Sequence, residues 1–138
     1  MTIDVNLDMN ADTDNTGRNI EVDIDTLYVE SESDPERNRF VFAYTVTIRN
    51  VGDTAARLLT RHWVIRDGNG KVQEVQGEGV VGEQPHLKPG EGFQYTSGTM
   101  LETSMGTMGG SYMLVTDDGT EFKAPIADFL LSAPRILH

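Results

Sequence analysis

Arg39-Phe40-Val41-Phe42-Ala43-Tyr44-Thr45-Val46-Thr47-Ile48-Arg49-Asn50 is the stretch that decides the fold. Phe40, Phe42, Tyr44, Val46 and Ile48 project to one side, while Arg39, Thr45, Thr47 and Arg49 project to the other. A period of two belongs to an extended strand with one face on a core and one in water. Burying each of these large side chains is worth roughly 1.5–3 kcal/mol, so the segment is expected to be a central core strand.

The same period extends outward in both directions. Upstream, Ile20, Val22 and Ile24 alternate with Glu21, Asp23 and Asp25, and the phase then shifts to Leu27 and Val29, consistent with a bulge or with a strand changing its contacts. Downstream, Leu58–Arg66 carries the only tryptophan, Trp63. Asp67-Gly68-Asn69-Gly70 reads as a tight two-residue hairpin turn into Lys71–Gln76, because Gly and Asn tolerate positive φ. Further strands are expected at Phe93–Thr96, Ser111–Thr116 and Glu121–Leu131. Pro125 consigns the last to an edge or a bulge. No window has helical periodicity. Seven to eight short strands separated by turns describe an all-β, immunoglobulin or fibronectin type III-like antiparallel sandwich.

Composition bounds the rest. A chain of 138 residues, 38% apolar, makes one small domain with its own core. It has no cysteine, hence no disulfide, thiolate metal site or cysteine nucleophile. The opening Met1-Thr2-Ile3-Asp4-Val5 has neither a basic nor an apolar leader segment, no apolar run is long enough to span a bilayer, and a cytoplasmic location is expected. Of the net charge of −11, residues 1–38 contribute −9, with 11 acidic and 2 basic side chains, leaving −2 for the remainder. An acidic protein without a basic stripe is repelled by phosphate backbones, which argues against a nucleic-acid partner.

Residues 1–19 read as an acidic, mobile tail, and residues 20–138 as the folded domain. Asp12, Asp14, Thr16, Gly17 and Asp23 fall at the first, third, fifth, sixth and twelfth positions of a calcium-binding loop. The flanking helices and the terminal Glu are missing, so the match is expected to be accidental.

Gly77-Glu78-Gly79-Val80-Val81-Gly82 has the glycine spacing of a phosphate cradle. In a dinucleotide site, however, the pyrophosphate sits on the N-terminus of the following helix. Here Glu83-Gln84-Pro85 follows, and Pro85 and Pro89 deny a helix. The motif is therefore expected to be a loop between strands.

The segments Asp34-Pro35, Arg39–Asn50, Arg61-His62-Trp63, Gly77–Pro85, Tyr95-Thr96-Ser97-Gly98 and Met105-Gly106-Thr107-Met108 together resemble the ApaG family, in order from about residue 20 to the end. The resemblance implies a fibronectin type III-like sandwich, with the glycine loop as the family's pyrophosphate-binding feature. It also implies an association, by name, with cobalt resistance and magnesium efflux and, by gene neighbourhood, with diadenosine tetraphosphate hydrolysis. In eukaryotic F-box and DNA-polymerase-interacting proteins the same domain looks like an interaction module.

The residues themselves point to no reaction. His62, His86 and His138 lack the paired spacing of a zinc site, and alternation puts His62 and Trp63 on opposite faces. Ser97, Ser104 and Ser111 lie outside any nucleophile elbow. Glu78 and Glu83 flank the glycine loop without an evident source of pKa perturbation. The expectation is a non-enzymatic protein without a cofactor or resident metal. Its glycine loop, Gly77, Gly79, Val80, Val81 and Gly82, together with a second Gly, Thr and Met-rich loop at Glu102–Gly110, either closes the sandwich or offers an apolar patch. Such a patch would receive an unidentified protein partner or a second copy of the chain, with no nucleic acid and no membrane. The alternative is a pyrophosphate- or nucleotide-binding protein of dinucleotide polyphosphate or divalent-cation physiology.

Overall fold

The computed structural model describes residues 19–134. All of the expected acidic tail except Asn19, and most of the calcium-loop match, lie outside them; Asn19 O accepts from Val51 N–H, and Asp23 is engaged by Arg49. Among the described residues eight strands run in the order β1 (Ile20–Tyr28), β2 (Phe40–Asn50), β3 (Ala56–Asp67), β4 (Val72–Glu78), β5 (His86–Leu87), β6 (Gly92–Leu101), β7 (Met105–Thr116) and β8 (Glu121–Ser132). Two short 3-10 turns, Glu30–Glu32 and Pro35–Arg37, separate β1 from β2.

The strands form two antiparallel sheets, β1-β2-β6 and β4-β3-β7-β8, with the short β5 also pairing to β3. As its alternation foretold, β2 lies between two neighbours and buries Phe42, Tyr44, Val46 and Ile48. These side chains meet an aromatic cluster on the other sheet. Trp63 stands edge-on to Tyr44 at 5.5 Å and to Tyr112 and Phe129 at 6.1 Å. Tilted and edge-on ring pairs of this kind add to area burial because ring edge and face carry opposite partial charge.

Three local expectations are refined or corrected. Of the two readings of the phase shift in β1 the bulge is excluded and the change of contacts holds, because the register with β2 is unbroken from Ile20 opposite Asn50 to Tyr28 opposite Phe42. Tyr28 instead takes the core position against Phe42 and leaves Leu27 exposed. The Asp67–Gly70 turn has three loop residues rather than two, since Asp67 N–H donates to Lys71 O and only Gly70 has positive φ, 84°. That is the geometry of a turn followed by a glycine bulge.

The third correction is larger. Met105–Gly110 is not loop but the first half of β7, and only Glu102–Ser104 connects it to β6. Its glycines reflect close backbone approach: a Cβ on Gly106 would lie 2.4 Å from Arg66 O, and one on Gly110 1.9 Å from His62 O. Met108 is core, whereas Met105 remains exposed. Pro125 sits on β8, an edge strand, as its missing N–H requires. Among the described residues no helix is long and apolar enough to cross a membrane.

Candidate functional site

The glycine stretch begins inside β4 and ends in a hairpin tip. Gly77 pairs with Arg61 of β3, and the Arg61 guanidinium lies over it; a Cβ on Gly77 would come within 2.9 Å of that group. Arg61 Nη1 donates to Glu78 O and to Gly79 O, both at 3.0 Å. The guanidinium is thereby turned toward carbonyl oxygens of the loop. Such charge-assisted bonds hold a backbone more firmly than neutral ones.

Beyond Glu78 the chain enters a tight reversal. Gly79 N–H donates to Leu59 O at 2.8 Å, Val80 N–H to Glu83 O at 2.8 Å, and Glu83 N–H to Val80 O at 2.9 Å. Val81 and Gly82 are the two central residues, with φ of 42° and 83°. Positive φ at both defines the mirror-image turn that suits a two-residue hairpin, where Asn-Gly is the usual occupant. Gly79, with φ 65°, admits no side chain, because a Cβ there would lie 2.4 Å from Glu83 O. Gly82 has open space around it and is required for its backbone angle alone.

The reversal is fastened to an irregularity in β3. The pairing of β3 with β7 skips between Leu58 and Thr60, freeing Leu59 O to accept both Gly79 N–H and Gln84 Nε2. Arg57 Nη1 donates to Gln84 O at 2.8 Å, and Leu58 N–H to Pro85 O at 3.0 Å. No helix follows the glycines; the chain passes into β5.

The two valines have opposite fates. Val80 is fully buried and joins the core, whereas Val81 is 55% exposed at the tip. A branched side chain in the left-handed region is uncommon, costing roughly 1–2 kcal/mol against a glycine. Arg61, the Gly79 bond and the Gln84 staple hold the backbone that imposes this conformation.

Two other candidates, His62 and His86, each pair with a carboxylate outside the tip. His62 Nε2 contacts Glu74 Oε1 at 2.8 Å on the outer sheet face, while Trp63 is buried, as alternation required. His86, opposite Arg57 where the chain leaves the tip, has its Nε2 2.8 Å from Asp117 Oδ1. Among the described residues no group of three His, Cys, Asp or Glu side chains converges as a metal site would need.

Arg61 was missed by the sequence reading. It shares the phase of Trp63, and an arginine on the core face of a strand should have prompted a search for the carbonyls it would satisfy. Also missed was a buried contact between the hydroxyls of Tyr95 and Tyr112. Burial pushes the Tyr95 phenol up to about 12, and raises that of Tyr112 further.

An ApaG domain matches residues 30–116. The chain is 60% identical to protein ApaG of Azoarcus sp. over 119 residues, covering 86% of this chain and 94% of that one. It is 56% identical to protein ApaG of Dechloromonas aromatica over the same shares. The crystal structure of the ApaA protein from Bordetella pertussis superimposes with a TM-score of 0.85 at 50% identity, covering 88% of this chain and 98% of that one.

Proposed function

We propose that this chain, which belongs to the ApaG domain family, is a non-enzymatic binding module whose Gly77–Gly82 tip docks a protein partner. The observation that carries this reading is Val81, an exposed apolar side chain on backbone that disfavours it. Strained residues persist where the surroundings over-determine them, and they concentrate at ligand clamps and recognition sites. The core contact at this tip is made by Val80, not by Val81. A rigid tip also loses little conformational entropy on binding, which favours affinity from a small contact.

The phosphate-cradle alternative has less in its favour. The N–H groups of Gly79, Val80 and Glu83 already donate to backbone oxygens, and among the described residues no helix dipole points at the loop. The family's link to cobalt and magnesium is, on this reading, indirect and exerted through the partner. We place that partnership in the cytoplasm.

The test combines capture and titration. Wild-type protein should enrich one protein from the source lysate, and Val81→Asp should lose it while retaining the native far-UV spectrum. Titration with pyrophosphate, ATP and diadenosine tetraphosphate, with and without magnesium or cobalt, should give no saturable heat. Micromolar binding abolished by Gly79→Val in a folded protein would reverse the assignment.

A further inference from the structure

Each sheet of a sandwich ends in edge strands whose outer N–H and C=O groups lack a neighbour. Such edges invite pairing unless proline, inward charge or a bulge guards them. β8 is guarded by Pro125 and by an irregularity opposite Met108–Gly110. β1 presents Glu21, Asp23 and Asp25 on its outward face. β6 contains Gly92 and Gly98 and no charged residue, a composition that specifies no register.

β4 differs from all three. It is the terminal strand of the larger sheet, contains no proline, and pairs with β3 without interruption from Thr60 opposite Glu78 to Arg66 opposite Val72. Val72 and Val75 on it are 47% and 40% exposed. Opposition to buried Trp63 puts Val75 on the inner side with Gln73 and Gly77, so Val72, Glu74, Gln76 and Glu78 face outward.

We propose that β4 pairs antiparallel with β4 of a second copy of this chain, centred on Val75, joining the two larger sheets into one. A two-fold axis perpendicular to a sheet keeps each residue opposite one on its own face, so only registers centred on a residue are allowed. Centring on Glu74 sets that glutamate against itself, and centring on Gln76 sets Glu74 against Glu78. Centring on Val75 pairs Val75 with its symmetry mate, Glu74 with Gln76, and Val72 with Glu78. It is thus the register that uses the whole strand while opposing no like charges, and it covers both exposed valines. Like charges directly opposite destabilise a strand pair, whereas apolar pairs stabilise it.

Sedimentation equilibrium over a range of protein concentration tests the proposal. The wild-type chain should show a reversible monomer–dimer equilibrium. Gln76→Lys, which sets a cation against Glu74 twice per dimer, should tighten it by about two- to thirty-fold, and Gln76→Glu should weaken it by a similar factor. Val75→Lys should leave a folded monomer. A wild-type chain that stays monomeric at several hundred micromolar, or a dimer indifferent to the sign of the charge at position 76, would overturn it.

Discussion

The hydroxyl of Tyr95 on β6 meets that of Tyr112 on β7, a hydrogen bond that joins the two sheets inside the sandwich. Both residues are buried, and burial holds the Tyr95 phenol at about 12 against an ordinary 10.0. The unfolded chain therefore releases its proton first, and stability is intact below pH 10 and lost as the pH rises toward 12. Tyr95 alone should account for a loss of about 2–3 kcal/mol across that window, at 1.36 kcal/mol per unit. Chemical denaturation at pH 8, 10 and 11.5 measures it.

Replacing one member of that pair should be worse than replacing both. Tyr95→Phe leaves the Tyr112 hydroxyl buried without its partner, at about 1–3 kcal/mol, while Tyr95→Phe with Tyr112→Phe removes both polar groups and recovers much of the loss. A double-mutant cycle by urea unfolding at pH 7 reads the coupling, and strict additivity would contradict it.

The glycines of the hairpin tip should not be equivalent. Gly79→Ala meets both positive φ and a contact with Glu83 O, and should cost well over about 2 kcal/mol. Gly82→Ala meets only the backbone term, about 1–2 kcal/mol. Thermal midpoints of the two variants should fall in that order.

Val81→Asn should raise stability by about 1 kcal/mol, because Asn accepts the left-handed conformation that Val81 resists. The same variant should lose partner capture. A site that gains stability and loses binding separates a recognition residue from a structural one.

Arg61→Ala should cost about 1–3 kcal/mol through the carbonyls of Glu78 and Gly79. It should also speed amide exchange at Gly79 and Val80. Gly77→Ala, whose Cβ displaces the same guanidinium, should cost less and add little on top of Arg61→Ala. Independent effects would show that Arg61 does not act through the loop.

Much of the framework was readable because side-chain period is a local property. The alternation in Arg39–Asn50 named the central strand and its buried face, and Pro85 with Pro89 ruled out the helix that a phosphate cradle needs. Where neighbours intervene, local reading failed. Met105–Gly110 looks like a loop because glycine normally signals one, yet these glycines lie in β7, where Arg66 O and His62 O leave no room for a side chain. The shift at Leu27 left a bulge and a change of contacts both open, because the core position of Tyr28 depends on Phe42 across the strand pair.

The sequence by itself determined the all-β class, the family resemblance and the position of the glycine tip, since each rests on patterns held within a few consecutive residues. Only the tertiary structure decided that Val80 is core while Val81 is presented to solvent, that Arg61 clamps the tip, and that β4 ends the larger sheet. Those outcomes depend on which distant backbone oxygens and strands come within hydrogen-bonding reach, and no local period encodes that.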